Sequence, residues 1–195
     1  MSVLLIDNFD SFTYNLQHLV LLEGVDCTVW RNNDPRLLGD LDTFTAIILS
    51  PGPGIPIHSG NLMEVISRWN TKIPMLGICL GHQALGLHFG AKLIAAPRPL
   101  HGMVSQIRLC ADEGEIPWMG EAGTIVEVMR YHSWVLGDLP ECLIPLAYSI
   151  EDDCLMALRH RTLPLYGVQF HPESVVGIEV RQLVATFVRQ SPVFL

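Results

Sequence analysis

Residues 75–79 read Met75-Leu76-Gly77-Ile78-Cys79, a short apolar run that stops at a cysteine between two glycines and passes straight into the helix-forming stretch Leu80 to Phe89. A run this short and apolar, bounded by glycine, is a buried strand. Gly77 and Gly81 leave one continuation open, a sharp strand-to-helix turn with Cys79 at its crest. A chain built around such a unit must lay its helix back on a sheet. The same turn lifts the sulfur clear of the strand, and the positive end of the helix dipole favours thiolate over thiol.

The surrounding sequence repeats this alternation. Val3 to Ile6 and Cys27 to Arg31 read as strands on either side of a helix from about Ser11 to Leu22, closed by Gly24. Thr45 to Leu49 is a strand by its branched apolar content, followed by the loop Pro51-Gly52-Pro53-Gly54 and a helix around Asn61 to Trp69. The order through Gly90 is β-α-β-β-α-β-α, which predicts an open, mostly parallel α/β sheet with helices on both faces. From there the pattern changes. Val104 to Cys110, Thr124 to Tyr131, Leu143 to Ser149 and Leu155 to His160 read as a smaller antiparallel section, with turns at Asp138-Leu139-Pro140 and Glu151-Asp152-Asp153. Tyr166 to Phe170 returns to the main sheet, and a helix from Ile178 to Gln190 closes a single domain over 1–195. Ligands of such sheets bind beyond the carboxyl ends of the strands, where Cys79, the Pro51 to Gly54 loop and His171 all fall.

Composition removes several classes of function. With 49% apolar and 16% charged residues the chain is an ordinary globule, and a net charge of -8 with its 12 basic residues scattered disfavours nucleic acid. No basic leader precedes Val3 and no run of about 18 apolar residues occurs, so a cytoplasmic protein without a membrane span is expected. Cys27, Cys79, Cys110, Cys142 and Cys154 are odd in number and form no C-x-x-C pair, against both a disulfide framework and a zinc site.

A thiol nucleophile needs a base that can afterwards act as an acid. Gln169-Phe170-His171-Pro172-Glu173 offers one, His171 at a strand end, with Glu173 two residues on to orient the imidazole. Taken alone, His-Pro-Glu also reads as a helix start. Attack on an amide further requires donors for an oxyanion. Gly52 can present its amide without a side chain intervening, and the amide of Leu80 follows the nucleophile directly. Gln83, one helical turn beyond Cys79, can face the same pocket, although a helix-surface Gln is more often simply solvated.

Three segments, Gly77-Ile78-Cys79-Leu80-Gly81-His82-Gln83, Pro51-Gly52-Pro53-Gly54 and Gly167-Val168-Gln169-Phe170-His171-Pro172-Glu173-Ser174, together resemble the class I (triad) glutamine amidotransferases. The opening Asp7-Asn8-Phe9-Asp10-Ser11-Phe12-Thr13, with Tyr131-His132-Ser133 and His101-Gly102, is similar to the component II subunits of anthranilate and para-aminobenzoate (aminodeoxychorismate) synthases. The resemblance implies a Cys79, His171 and Glu173 triad, an oxyanion hole from the Gly52 and Leu80 amides, and glutamine contacts from Gly52, Pro53, Gly54, Gln83, Ser133 and Trp134. It also implies a separate synthase subunit that uses chorismate and magnesium, with no cofactor in this chain, and makes Asn8 to Asn15 a candidate docking surface. Asp10 or Ser11 reads equally as an N-cap of the first helix. Two positions depart from the family pattern: Trp134 stands where leucine is common, and Met103 where lysine is common. Arg159-His160-Arg161 looks somewhat more like the para-aminobenzoate branch, with His160 itself a surface strand residue. A γ-glutamyl hydrolase with the same triad, or a silent regulatory partner, are the alternative readings.

Overall fold

The computed structural model describes residues 1–110, 120–174 and 178–191. Among these residues, nine strands form one sheet in the order β2-β1-β3-β4-β9-β8-β7-β5-β6. The first five in that order run parallel: β2 (Asp26–Arg31), β1 (Ser2–Asp7), β3 (Ala46–Leu49), β4 (Met75–Ile78) and β9 (Leu165–Val168). The remaining four are antiparallel: β8 (Leu155–His160), β7 (Leu143–Ser149), β5 (Lys92–Leu109) and β6 (Ile125–Gly137). The expected mostly parallel sheet with a smaller antiparallel section is therefore the observed one.

Alternation along the parallel strands divides their side chains between two cores. Val3, Leu5, Ala46, Ile48, Leu76 and Ile78 face α1 (Thr13–Leu22) and α4 (Ile178–Gln190). Leu4, Ile6, Ile47, Leu49 and Met75 face α2 (Leu62–Trp69) and α3 (Leu80–His88). With both faces covered, β1, β3 and β4 are buried almost throughout, which is why they read as continuous apolar runs, while β2 at the sheet edge is only partly buried.

Several boundaries differ from expectation for physical reasons. α1 starts at Thr13 rather than Ser11, and neither Asp10 nor Ser11 caps it. Asp10 instead accepts the Phe12 amide at 2.7 Å, an Asx turn that delays the helix, while the Asp7 carboxylate accepts from the Thr13 hydroxyl at 2.8 Å. The largest difference is in β5 and β6. They pair from Lys92 and Gly137 to Arg108 and Ile125, so both strands extend well beyond the expected segments. Pro97, Pro99 and Gly102 interrupt the alternation, and the ladder absorbs them as register shifts between Ala95 and Leu100 and between His101 and Met103. His160 is not a surface residue but buried, its Nδ1 accepting the Thr162 and Leu163 amides at 3.2 and 3.0 Å. Among the described residues no helix is long and apolar enough to cross a membrane.

Candidate active site

Four neighbouring parallel strands, β1, β3, β4 and β9, end at the same edge and release the four segments that build the site. Cys79 follows β4 directly. Its φ of 50° and ψ of -100° place a non-glycine residue in a conformation that L side chains rarely adopt, and its amide is held by the Val168 carbonyl at 2.8 Å. Crowding around this turn explains both glycines. A Cβ on Gly77 would lie 2.5 Å from the backbone of Gly81, and one on Gly81 would meet the Leu49 carbonyl.

The segment after β9 carries His171, the expected base. His171 Nδ1 pairs with Glu173 Oε1 at 2.7 Å, both residues are buried, and Nε2 has no hydrogen-bond partner among the described residues that meets ordinary geometry. Burial alone would lower the imidazole's affinity for a proton. Interaction with the nearby Cys79 sulfur and the hydrogen-bonded Glu173 carboxylate outweighs it and raises the His171 pKa well above the ordinary histidine range. Phe12 and Tyr131 pack against the His171 ring at centroid distances of 6.4 and 5.0 Å.

The loop after β3 is fixed by a buried amide network. Asn8 donates its amide to Ser50 Oγ at 2.8 Å and its Nδ2 to the Ser50 carbonyl at 2.8 Å, while Asn32 Nδ2 donates to Asn8 Oδ1 at 3.0 Å. This clamp seats Gly52 so closely that an added Cβ would lie 2.5 Å from the Asn8 carbonyl oxygen and 2.9 Å from the Leu80 side chain. Gly52 thus packs directly against the residue that follows Cys79.

A cavity of about 240 Å³ opens over the sulfur, lined by Gly52, Pro53, Gly54, Gln83, Ser133 and Trp134 among others. That is below the roughly 300 Å³ at which sites for drug-sized ligands begin, and suits a ligand the size of one amino acid. The six residues expected to contact glutamine all line it, while His171 and Glu173 stand outside the lining. The Trp134 carbonyl is already engaged by Gln83 Nε2 at 3.0 Å and by His132 Nδ1 at 3.2 Å. The Trp134 ring, partly exposed, borders both this cavity and an apolar groove formed with Ile55, Ile57 and Leu87. A larger recess of about 790 Å³ between the β5–β6 hairpin and β7 shares no residue with the site.

Further residues at the site stand in the motifs quoted from sequence but were given no role there. Tyr131 and His101 line the cavity, and Gln169, fully buried, places its Nε2 3.6 Å from the Cys79 sulfur. Gln169 lies just past the end of β9, two residues before His171, and its approach to Cys79 is set by the fold rather than by a local pattern.

The fold and this site define the class, and the glutamine amidotransferase class I family model matches residues 4–191. The chain belongs to the class I glutamine amidotransferases. Within that family it is 41% identical over 192 residues to aminodeoxychorismate synthase component 2 of Escherichia coli, covering 96% of this chain and 100% of that protein. It is also 41% identical over 188 residues to anthranilate synthase component 2 of Haemophilus influenzae, covering 94% of each. Against the aminodeoxychorismate synthase of Streptomyces griseus the identity is 46% over 191 residues, but the chain spans only 26% of that longer protein. Among solved structures, a Thermoplasma acidophilum protein assigned to GMP synthase superposes with a TM-score of 0.85 at 25% identity, over 100% of this chain and 95% of that one.

Proposed function

We propose that this chain is the glutamine-hydrolysing subunit of a chorismate-using synthase, with Cys79, His171 and Glu173 as its triad. The observation that carries the reading is the strained Cys79 turn beside the buried His171–Glu173 pair, at the mouth of a cavity sized for an amino acid. The Cys79 thiolate attacks the side-chain carbonyl carbon of glutamine, and the Gly52 and Leu80 amides receive the developing oxyanion. His171 gives its proton to the leaving nitrogen as the C–N bond breaks, releasing ammonia and leaving a γ-glutamyl thioester. Water then adds to the thioester, its proton passing to His171, and glutamate leaves as the C–S bond breaks. Glu173 holds the ring in place through both halves. None of these steps draws on a metal or organic cofactor in this chain.

Ammonia released into solvent would be protonated and lost, so the reading includes a partner that receives it directly. The component 2 relatives support a separate synthase subunit, and Asn8 to Asn15, with Phe9, Phe12 and Tyr14 exposed, is the proposed docking face. Magnesium belongs to that partner's chemistry. Equal identity to the two component 2 relatives leaves the branch to the Arg159-His160-Arg161 resemblance, which favours aminodeoxychorismate over anthranilate.

Cys79→Ser tests the division of labour. In the complex with the synthase subunit, this variant should lose glutamine-dependent product and keep ammonia-dependent product. Loss of both would overturn the reading. Identifying the product from chorismate and glutamine then assigns the branch.

A further inference from the structure

A chain of hydrogen bonds runs through the site, and its direction follows from one group whose polarity is beyond choice. The Trp134 carbonyl can only accept. Gln83 lies 3.0 Å from it and must therefore present its NH2 group. The second N–H of that group points at Gln169 at 3.0 Å, which obliges Gln169 to offer its Oε1 there. The Gln169 NH2 group is thereby turned to the Cys79 sulfur at 3.6 Å. Two buried amides, each of which could flip in isolation, are locked by a backbone oxygen.

That oxygen is itself held from the other side. Arg130, fully buried, grips Asp152 with two parallel bonds of 3.1 and 3.0 Å, and its Nε donates to His132 Nε2 at 3.0 Å. Because an arginine Nε–H can only donate, His132 Nε2 is bare and Nδ1 carries the proton that it gives to the Trp134 carbonyl at 3.2 Å. Donation thus converges on the Trp134 carbonyl from both sides, and the polarity of every group in the chain is fixed.

We infer that Gln169 is a hydrogen-bond donor to the Cys79 sulfur, held in that orientation by Gln83 and the Trp134 carbonyl. A donor stabilises a thiolate more than a thiol, since hydrogen bonds to a charged acceptor are roughly twice as strong as neutral ones. Gln169 thereby raises the fraction of reactive sulfur in the resting site, before any glutamine is bound. Opposing it is the Tyr131 carbonyl, 4.0 Å from the sulfur, which can accept only from the thiol. The titratable groups that face the sulfur are His171 with Glu173 behind it on the loop after β9, Tyr131 and His132 on β6, and His101 on β5; Asp10 lies near the imidazole from the loop after β1. Gln169 adds a donor whose presence does not depend on the protonation of any of these.

This rests on the reading of Cys79 as nucleophile, so the test uses a reagent that reports on the thiolate without glutamine. The full-length chain and its Gln169→Leu, Gln169→Glu and Gln83→Leu variants are alkylated with iodoacetamide at pH 7 and pH 10, and Cys79 modification is followed by mass spectrometry. Gln169→Leu should react about tenfold more slowly at pH 7 and come within about twofold of the parent at pH 10, where deprotonation no longer needs the donor. Gln169→Glu should be slower still at pH 7. Gln83→Leu, which frees Gln169 to turn, should fall by about threefold, and it decides the matter if circular dichroism shows that the Gln169 variants do not fold. Parent-like rates at pH 7 in a folded variant would overturn the inference. If Cys79 in the parent reacts no faster than the other cysteines, the nucleophile reading itself fails and this inference falls with it.

Discussion

Gly52 shows how narrowly single residues define this site. Its amide is the proposed donor to the oxyanion, and the position has no space for a side chain, since a Cβ would meet the Asn8 backbone at 2.5 Å and Leu80 at 2.9 Å. Gly52→Ala should therefore push the loop away from Cys79 without touching the sheet. The expected outcome is a fall of about 10² to 10³ in kcat for glutamine hydrolysis, the range for losing one oxyanion donor, with a melting temperature close to the parent's. Steady-state kinetics alongside thermal unfolding checks it, and a parent-like kcat would remove Gly52 from the oxyanion hole. At this scale the sequence was most informative where a residue type is dictated by crowding or chemistry. Cys79 with its two glycines, the Pro51 to Gly54 loop and His171 with Glu173 were all readable. Gln169, Tyr131 and Arg130 were not, because their roles depend on contacts between strands far apart in the chain. Arg130 in particular reads as a charged residue in an alternating strand, and only the fold buries it against Asp152.

At the level of elements, the parallel half was legible because its inner strands, buried on both faces, must be apolar throughout, and β1, β3 and β4 are each followed by a helix with its own periodicity. The β5–β6 hairpin was only half visible, since a strand with one exposed face that also contains Pro97, Pro99 and Gly102 loses the alternation on which a reading depends. The joint between β4 and α3 carries a prediction that runs against helix propensity. Alanine is favoured over glycine by about 1 kcal/mol inside a helix. Gly81 nevertheless lies where a Cβ would meet the Leu49 carbonyl, a backbone group of β3 that cannot swing aside. Gly81→Ala should therefore destabilise the chain by about 2 kcal/mol net, in the range for overpacking a well-packed core. For a chain of this length that corresponds to a melting temperature lower by about 4–8 °C. A variant at or above the parent's melting temperature would show that the joint tolerates movement and that the glycine serves something other than close packing.

The molecule as a whole keeps several histidines out of water, and this sets its response to acid. Burial lowers the affinity of His82 for a proton to about 3; the Gly167 backbone offsets part of this and the nearby His132 adds to it. His132 is lowered to about 4, by burial first and then by the Arg130 cation beside it. Both start from an ordinary value of 6.5, and burial moves His88 and His160 in the same direction. Between pH 6.5 and 4 the unfolded chain takes up protons on these rings and the native state does not, so stability falls as pH falls through that window. Each fully neutral ring contributes a slope of about 1.4 kcal/mol per pH unit. His171 has the opposite shift, and its contribution is fully present below 6.5, so it adds no slope there. Asp152 acts lower still. Burial raises its carboxyl, but the Arg130 bonds prevail and bring it to about 2, so its contribution is lost only as pH falls from about 4 toward 2. His82 is the cleanest probe, because its ring is fully buried and its pKa is lowered to about 3. Urea unfolding at about pH 7, 5.5 and 4.5, compared at constant m, should show a steep loss of stability for the parent and a shallower one for His82→Leu. The two curves should converge toward neutral pH, and parallel curves would mean that acid sensitivity resides elsewhere than in the buried imidazoles under the active-site helix.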